Sequence, residues 1–149
     1  MASLTGTGVL APAVSLSPTS LTFGQENMGF TSAPQIVTLS NTGNALLNIS
    51  SIGIGGNWSQ DYAQTNNCGS SVSAGSNCTI NVTFRPTYAY AYTSSASLVI
   101  YDNASPSSQT VNLTGSGIPA PTQPGTYPIT VLASTGNDLH NLNVSVNVQ

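Results

Sequence analysis

Apolar residues in this chain recur at every second position, in short runs, and no segment carries the three-and-four spacing of a helical stripe. Leu21 and Phe23 alternate with small polar residues in SLTFG, and Val37 and Leu39 share one face of QIVTLSN. In ALLNISSIGI, Leu47 and Ile49 point inward, with a bulge or turn expected at the glycines. CTINVTF alternates most cleanly: Ile80, Val82 and Phe84 face one way, Thr79, Asn81 and Thr83 the other. SASLVIY and QTVNLTG add Leu98, Ile100, Val111 and Leu113 as core candidates. Clusters of Gly, Asn, Ser and Pro separate these runs, as turns require. About seven short strands over roughly 100 residues predict an all-β, immunoglobulin-like sandwich, placed at residues 14–117. Residues 1–13 precede it as an extension strand.

The pattern changes after residue 117. IPAPTQPG, within 118–125, is a stiff proline-rich connector with too few backbone donors for a central strand. Residues 126–149 then alternate again. Tyr127, Ile129 and Val131 form one apolar stripe, and Leu142, Val144, Val146 and Val148 form a second beyond the turn-like STGND. This predicts a long β-hairpin with one apolar face. Two strands alone are marginally stable in water, so the hairpin calls for a partner surface.

Composition narrows the function. Only 3% of residues are charged, where about 25% is ordinary, and Ser, Thr, Asn and Gly stand in their place. With Arg85 as the one basic Lys or Arg side chain, the chain lacks the cationic footprint that nucleic acid requires. No apolar run approaches the ~18–20 residues of a membrane span, and no signal peptide is recognisable. A net charge of −3 does little to keep such a surface apart, which makes covalent glycans a candidate solubiliser. Cys68 and Cys78, in CGSSVSAGSNC, read as one disulfide across a loop, with reduced and partly buried thiols as the alternative. A zinc site would need four ligands, and the single His140 is far away in sequence.

Two stretches nearly repeat: LTGTGVLAP at 4–12 and LTGSGIPAP at 113–121. Together with LSPTSLTFG, APQIVTLSNTGNALLNISSI, NNCGSSVSAGSNCTINVTFRPT and LVIYDNASPSSQTVNLTGSG, the closing LTGSG gives residues 14–117 the look of a known module. The stretch resembles the Hydin-type, or choice-of-anchor D, bacterial immunoglobulin-like module, which recurs in tandem in long surface and secreted proteins. TYAYAYTSSAS departs from that family, whose members carry a short turn of small residues there. The tail PGTYPITVLAS…LNVSVNV is similar to the last two strands of another bacterial immunoglobulin-like module. The resemblance implies that residues 3–8 match a strand closing a preceding module, which leaves an orphan strand in front and an incomplete sandwich behind.

These features point to strand addition between copies, with Leu4, Val9, Leu10, Val14 and Leu16 as anchors of a donated strand. A head-to-tail contact of this kind builds a filament unless its rotation closes a ring. The expectation is therefore a structural subunit of an extracellular or cell-surface fibril, partnered by copies of itself. The competing readings are a piece of a tandem surface protein, an adhesin that binds carbohydrate, and a monomer whose ends pack on its own body. Asn-x-Ser/Thr sequons occur at Asn48, Asn57, Asn77, Asn81, Asn103, Asn112 and Asn143. Composition alone supplies several of them, but Asn81, Asn112 and Asn143 alternate with apolar neighbours and should face solvent. LSPTS and APTQPGT are compositional candidates for O-linked sugar.

Tyr88, Tyr90 and Tyr92 share one face of an extended strand, suited to sugar stacking or to a subunit contact. Their parity also continues the inward stripe of Ala96, Leu98 and Ile100, which favours core packing. Trp58 is as readily a loop anchor as a ligand contact. Catalysis has little material. Glu26, Asp61, Asp102, Asp138 and His140 form no recognisable acid–base set, and no nucleophile motif surrounds any serine. Asp102 with Asn103 falls short of the six to eight oxygens that calcium takes. No enzyme activity, metal or cofactor is expected.

Overall fold

A computed structural model describes residues 8–120 with their side chains, and the backbone of residues 125–135 and 138–148. It divides into two compact units, residues 1–119 and 120–149. The first unit is an immunoglobulin-like β-sandwich. One sheet carries β1 (Val14–Ser17), β3 (Gln35–Asn41), β7 (Asn77–Phe84) and β5 (Tyr62–Asn66), in the order β1-β3-β7-β5. The other has the order β2-β9-β8-β4-β6, built from β2 (Ser20–Asn27), β9 (Ser108–Ile118), β8 (Tyr92–Asp102), β4 (Leu47–Gly55) and β6 (Ser71–Val72). A short 3-10 turn, Ser59–Asp61, joins β4 to β5.

Alternation produces the core directly. Val37, Leu39, Ile80, Val82 and Phe84 project from one sheet and meet Leu47, Leu98, Ile100, Val111 and Leu113 from the other, all fully buried. In β4 the inward parity switches from Leu47 and Ile49 to Ile52 and Ile54, because the pairing with β8 shifts register between Ile49 and Ser51. The bulge lies there and not at the glycines, where the alternation of apolar residues had suggested it. Cys68 and Cys78 are joined in a disulfide that ties the β5–β6 connection to the start of β7.

The first strand changes sheets. β1 runs antiparallel to β3, with Val14 opposite Asn41 and Leu16 opposite Leu39, and both side chains pack against the core. After Ser17–Pro18 the chain crosses over, and β2 runs parallel to β9. The residues before β1 are also built into this sheet. Thr42 and Asn44 donate their amides to the carbonyls of Ala13 and Ala11, and the buried Asn41 accepts from the Ala13 amide at 3.3 Å. Gly43 lies so close beneath this segment that a Cβ would collide with the backbone of Ala11 and Ala13. Val14 and Leu16 are therefore engaged within their own sandwich, which corrects their placement in a donated strand. Backbone pairing and burial hold them there.

This path puts the two ends of the sandwich backbone at opposite poles. Ala11–Ala13 lies beside the turn after β3, with the Asp102–Ser108 turn and the disulfide loop at the same end. Ile118 leaves from the other end, where Met28 donates its amide to the Ile118 carbonyl and Gly29 donates to Pro86.

The second unit is a two-stranded antiparallel ribbon, β10 (Gly125–Thr135) with β11 (Asp138–Val148). Its register sets Tyr127 opposite Val146, Ile129 opposite Val144, and Val131 opposite Leu142. Directly opposed residues share a face, so both apolar stripes fall on the same side of the ribbon. His140 lies in β11 opposite Ala133. Among the described residues, neither strand pairs with a third.

Candidate functional site

The densest chemistry lies at the C-terminal pole, where the connection from β7 to β8 meets the turn after β4. Tyr88 and Tyr90 occupy the connection and Tyr92 opens β8, while Trp58 directly precedes the 3-10 turn. The four rings form one cluster. Trp58 meets Tyr92 at 4.9 Å between ring centroids and Tyr88 edge-on at 5.2 Å; Tyr90 lies 5.5 Å from Tyr88 and 5.8 Å from Tyr92. These spacings fall within the favourable range for tilted and T-shaped aromatic pairs.

A buried carboxylate holds the cluster in place. Asp61 is 1% exposed, and its two oxygens accept the hydroxyls of Thr87 at 2.6 Å and of Tyr92 at 2.8 Å. The Tyr92 hydroxyl in turn accepts the Thr87 amide at 3.0 Å, so one acidic side chain fixes both the connection and the first residue of β8. Asp61 also receives the Arg85 amide on its own carbonyl. The Arg85 guanidinium donates from Nε to the Gly29 carbonyl at 3.0 Å. Burial, followed by the hydrogen bond to Asp61, pushes the Tyr92 phenol above its ordinary value. Tyr62, packed against Phe23 and Phe84 with its hydroxyl on the Ser94 carbonyl, is likewise raised, chiefly by burial.

The aromatic row departs from the core role that its parity favoured. Tyr92 is half-buried and continues the inward stripe, but Tyr88 is 39% and Tyr90 55% exposed. The reason is that β8 begins only at Tyr92. Before it the backbone is no longer extended in the sheet, so alternation does not carry inward. Asp61 was legible only as one of a few scattered acids. The signal that it is special, burial beside two hydroxyl donors, is tertiary.

The other candidates are dispersed. Val9 and Leu10 are 86% and 72% exposed, and Leu4 lies outside the described residues. Of the sequon asparagines, Asn48, Asn57, Asn77 and Asn112 are exposed and Asn81 is half-buried; the Asn143 side chain lies outside the described residues. Asn103 is exposed but occupied: its Oδ1 accepts the Asn48 amide at 2.7 Å and its Nδ2 donates to Leu46. Asn57 and Asn112 border a shallow trough on the outer sheet face, lined also by Ser95, Ser97 and Thr114. Asp102 is turned into its own tight turn, with Oδ1 accepting the Ala104 amide and Oδ2 buried without a partner. Among the described residues, no three of His, Cys, Asp and Glu converge, and no helix is long and apolar enough to cross a membrane.

No protein-family model matches the sequence, and no curated protein matches it. Among solved structures, the chain is similar to a protein of unknown function from Porphyromonas gingivalis W83, at a TM-score of 0.58 and 16% identity over 73% of this chain and 48% of that one. It is also similar to the secreted serine protease VesC from Vibrio cholerae, at a TM-score of 0.51 and 18% identity over 72% of this chain and 23% of the protease. The chain thus spans about half of the first protein and about a quarter of the second. At such identities the likeness is one of fold. The class established is an immunoglobulin-like β-sandwich module.

Proposed function

We propose that this chain is a structural module of an extracellular, fibre-like array, joined end to end with copies of itself by β-strand complementation. The observation that carries the reading is the C-terminal ribbon. Eleven residues on each strand are paired in register, the apolar positions share one face, and the sheet stops at two strands among the described residues. A ribbon of that kind gains stability from a third strand and from cover over its apolar face. The segment Leu4–Leu10, with its alternating text and its exposed Val9 and Leu10, is the donor we assign to it in a neighbouring copy.

Two further features support the reading. The sandwich needs no donated strand, so it serves as a rigid spacer, and its backbone arrives at one pole and leaves from the other, as a linear array requires. The disulfide suits an oxidising, extracellular setting. Exposed Asn48, Asn57, Asn77 and Asn112 offer places for glycans on a surface nearly devoid of charge. The same geometry suits a link in a tandem polypeptide, in keeping with the resemblance to choice-of-anchor D modules. The reading assigns the chain no catalytic step.

Negative-stain imaging and light scattering of the purified chain, with and without residues 1–10, test it. The intact chain is expected to form concentration-dependent filaments, and the shortened chain to stay monomeric with an unchanged thermal transition of the sandwich. A full chain that remains monomeric at high concentration would exclude self-assembly.

A further inference from the structure

We propose that the Trp58–Tyr88–Tyr90–Tyr92 cluster is a preformed binding platform for a neutral saccharide chain. Charge selects the ligand class. The one acid at the site, Asp61, is 1% exposed with both oxygens occupied by hydroxyls, and Arg85 spends its Nε on the Gly29 carbonyl. Arg85 is exposed but stands alone, so the surface offers phosphate, sulfate or carboxylate one guanidinium and no cationic cluster, and it offers a basic peptide no free anion. What it offers is aromatic area. Tyr88 and Tyr90 present exposed rings, and their hydroxyls hold no hydrogen bond within the described residues. A pyranose ring is the ligand that uses both properties: its C–H face stacks on an aromatic ring, and its hydroxyls pair with phenols and amides.

Preorganisation is the second argument. Solvent-exposed tyrosines on a free loop lose rotamer and backbone freedom on binding, which subtracts from affinity. Here that ordering is already done. Asp61 fixes Thr87 and Tyr92, Tyr92 lies against Trp58, Tyr88 packs on both, and Tyr90 packs on Tyr88 and Tyr92. Asn57, the neighbour of Trp58, also opens the trough that runs past Ser95 and Ser97 to Asn112 and Thr114. That trough sets the hydroxyls of Ser95, Ser97 and Thr114 and the amides of Asn57 and Asn112 beside Ala96 and Leu113 and carries no charge, so a chain longer than one sugar finds polar partners beyond the rings.

Trp58 is the only tryptophan of the chain, so its emission reports this site alone. The experiment titrates the intact chain with neutral oligosaccharides of glucan, mannan, xylan and chitin type, and runs it in native gels cast with the parent polysaccharides. At least one sugar class is expected to change Trp58 emission saturably and to retard the protein. Tyr90→Ala should weaken that binding about tenfold while leaving the thermal transition unchanged, since Tyr90 is 55% exposed. Asp61→Asn acts through the loop: affinity should fall while the aromatic near-UV signal broadens, the mark of a positioning residue. Absence of retardation and of an emission change across all four classes overturns the proposal. So does a Tyr90→Ala variant that binds normally, or one that loses only self-association, which would make the cluster a contact between copies. Filament formation that survives Tyr90→Ala leaves the strand-based assembly standing on its own.

Discussion

The residues that decide this molecule's behaviour are the few polar ones it buries. Asn41 is 1% exposed and works as a hub: its Nδ2 donates to the carbonyls of Ala45 and Val72, and its Oδ1 accepts the amides of Ala13 and Gly43. Asp61 plays the matching part at the other pole. Near each of these sites a phenol or an amide completes a network that a buried polar group requires. The two raised phenols carry a pH dependence. Tyr62 and Tyr92 hold their protons more tightly folded than unfolded. The stability they contribute is therefore complete below the unfolded value of about 10, and it is lost as pH rises through the higher folded values. Urea unfolding followed by Trp58 emission should show a flat profile near neutrality and a decline beginning above pH about 10. Tyr62→Phe should lower stability at pH 7 by about 1 kcal/mol, for the lost bond to Ser94, and make the alkaline decline shallower.

At the scale of elements, β9 shows why the LTGSG text is so specific. Leu113 is fully buried, and a Cβ at Gly115 would stand 2.8 Å from the Phe84 ring, tighter than a side chain can accept. Gly117 is in the same position beneath Pro86 and Tyr92. Rings lie directly on the strand backbone, so β9 reads Leu-x-Gly-x-Gly for steric reasons. Gly115→Ala should cost about 1–3 kcal/mol in urea unfolding, the range for overpacking a filled core, with Phe84 displaced. The duplicated text at Leu4–Gly8 keeps a glycine at both of these places. Strand alternation made six strands of the sandwich legible, since in each one face is buried against the opposite sheet. It was silent on β5 and β6. Tyr62–Asn66 has one buried side chain in five and β6 is two residues long, so neither can display a period. The β1 text was visible but its sheet was not, because partner choice there depends on Asn41 and Gly43, which lie far along the chain. The aromatic site was half legible. The tyrosines and Trp58 stood out by type, whereas their convergence and the part of Asp61 depend on contacts between residues 26 to 34 positions apart.

For the whole molecule, the physical contrast is between a sandwich with a filled core and a ribbon of two strands among the described residues. The core of the first unit draws on both sheets, and it is further closed by a disulfide. The ribbon differs, because a two-stranded sheet has two edges of backbone groups, and its register sets the apolar positions in one stripe on one face. If assembly works by covering that stripe, a charge placed within it must oppose assembly. Val144 pairs with Ile129 near the middle of the ribbon, so Val144→Lys sets an ammonium among apolar positions, where burial without a partner is strongly unfavourable. The variant should fail to form filaments at concentrations where the parent chain does so, while its urea midpoint, read from Trp58, stays within error of the parent. Thr130→Lys, on the opposite face of the same ribbon, pairs with Asn143 and is the control: it should assemble. Filaments that tolerate Val144→Lys as readily as Thr130→Lys would mean that the apolar face is not where copies meet.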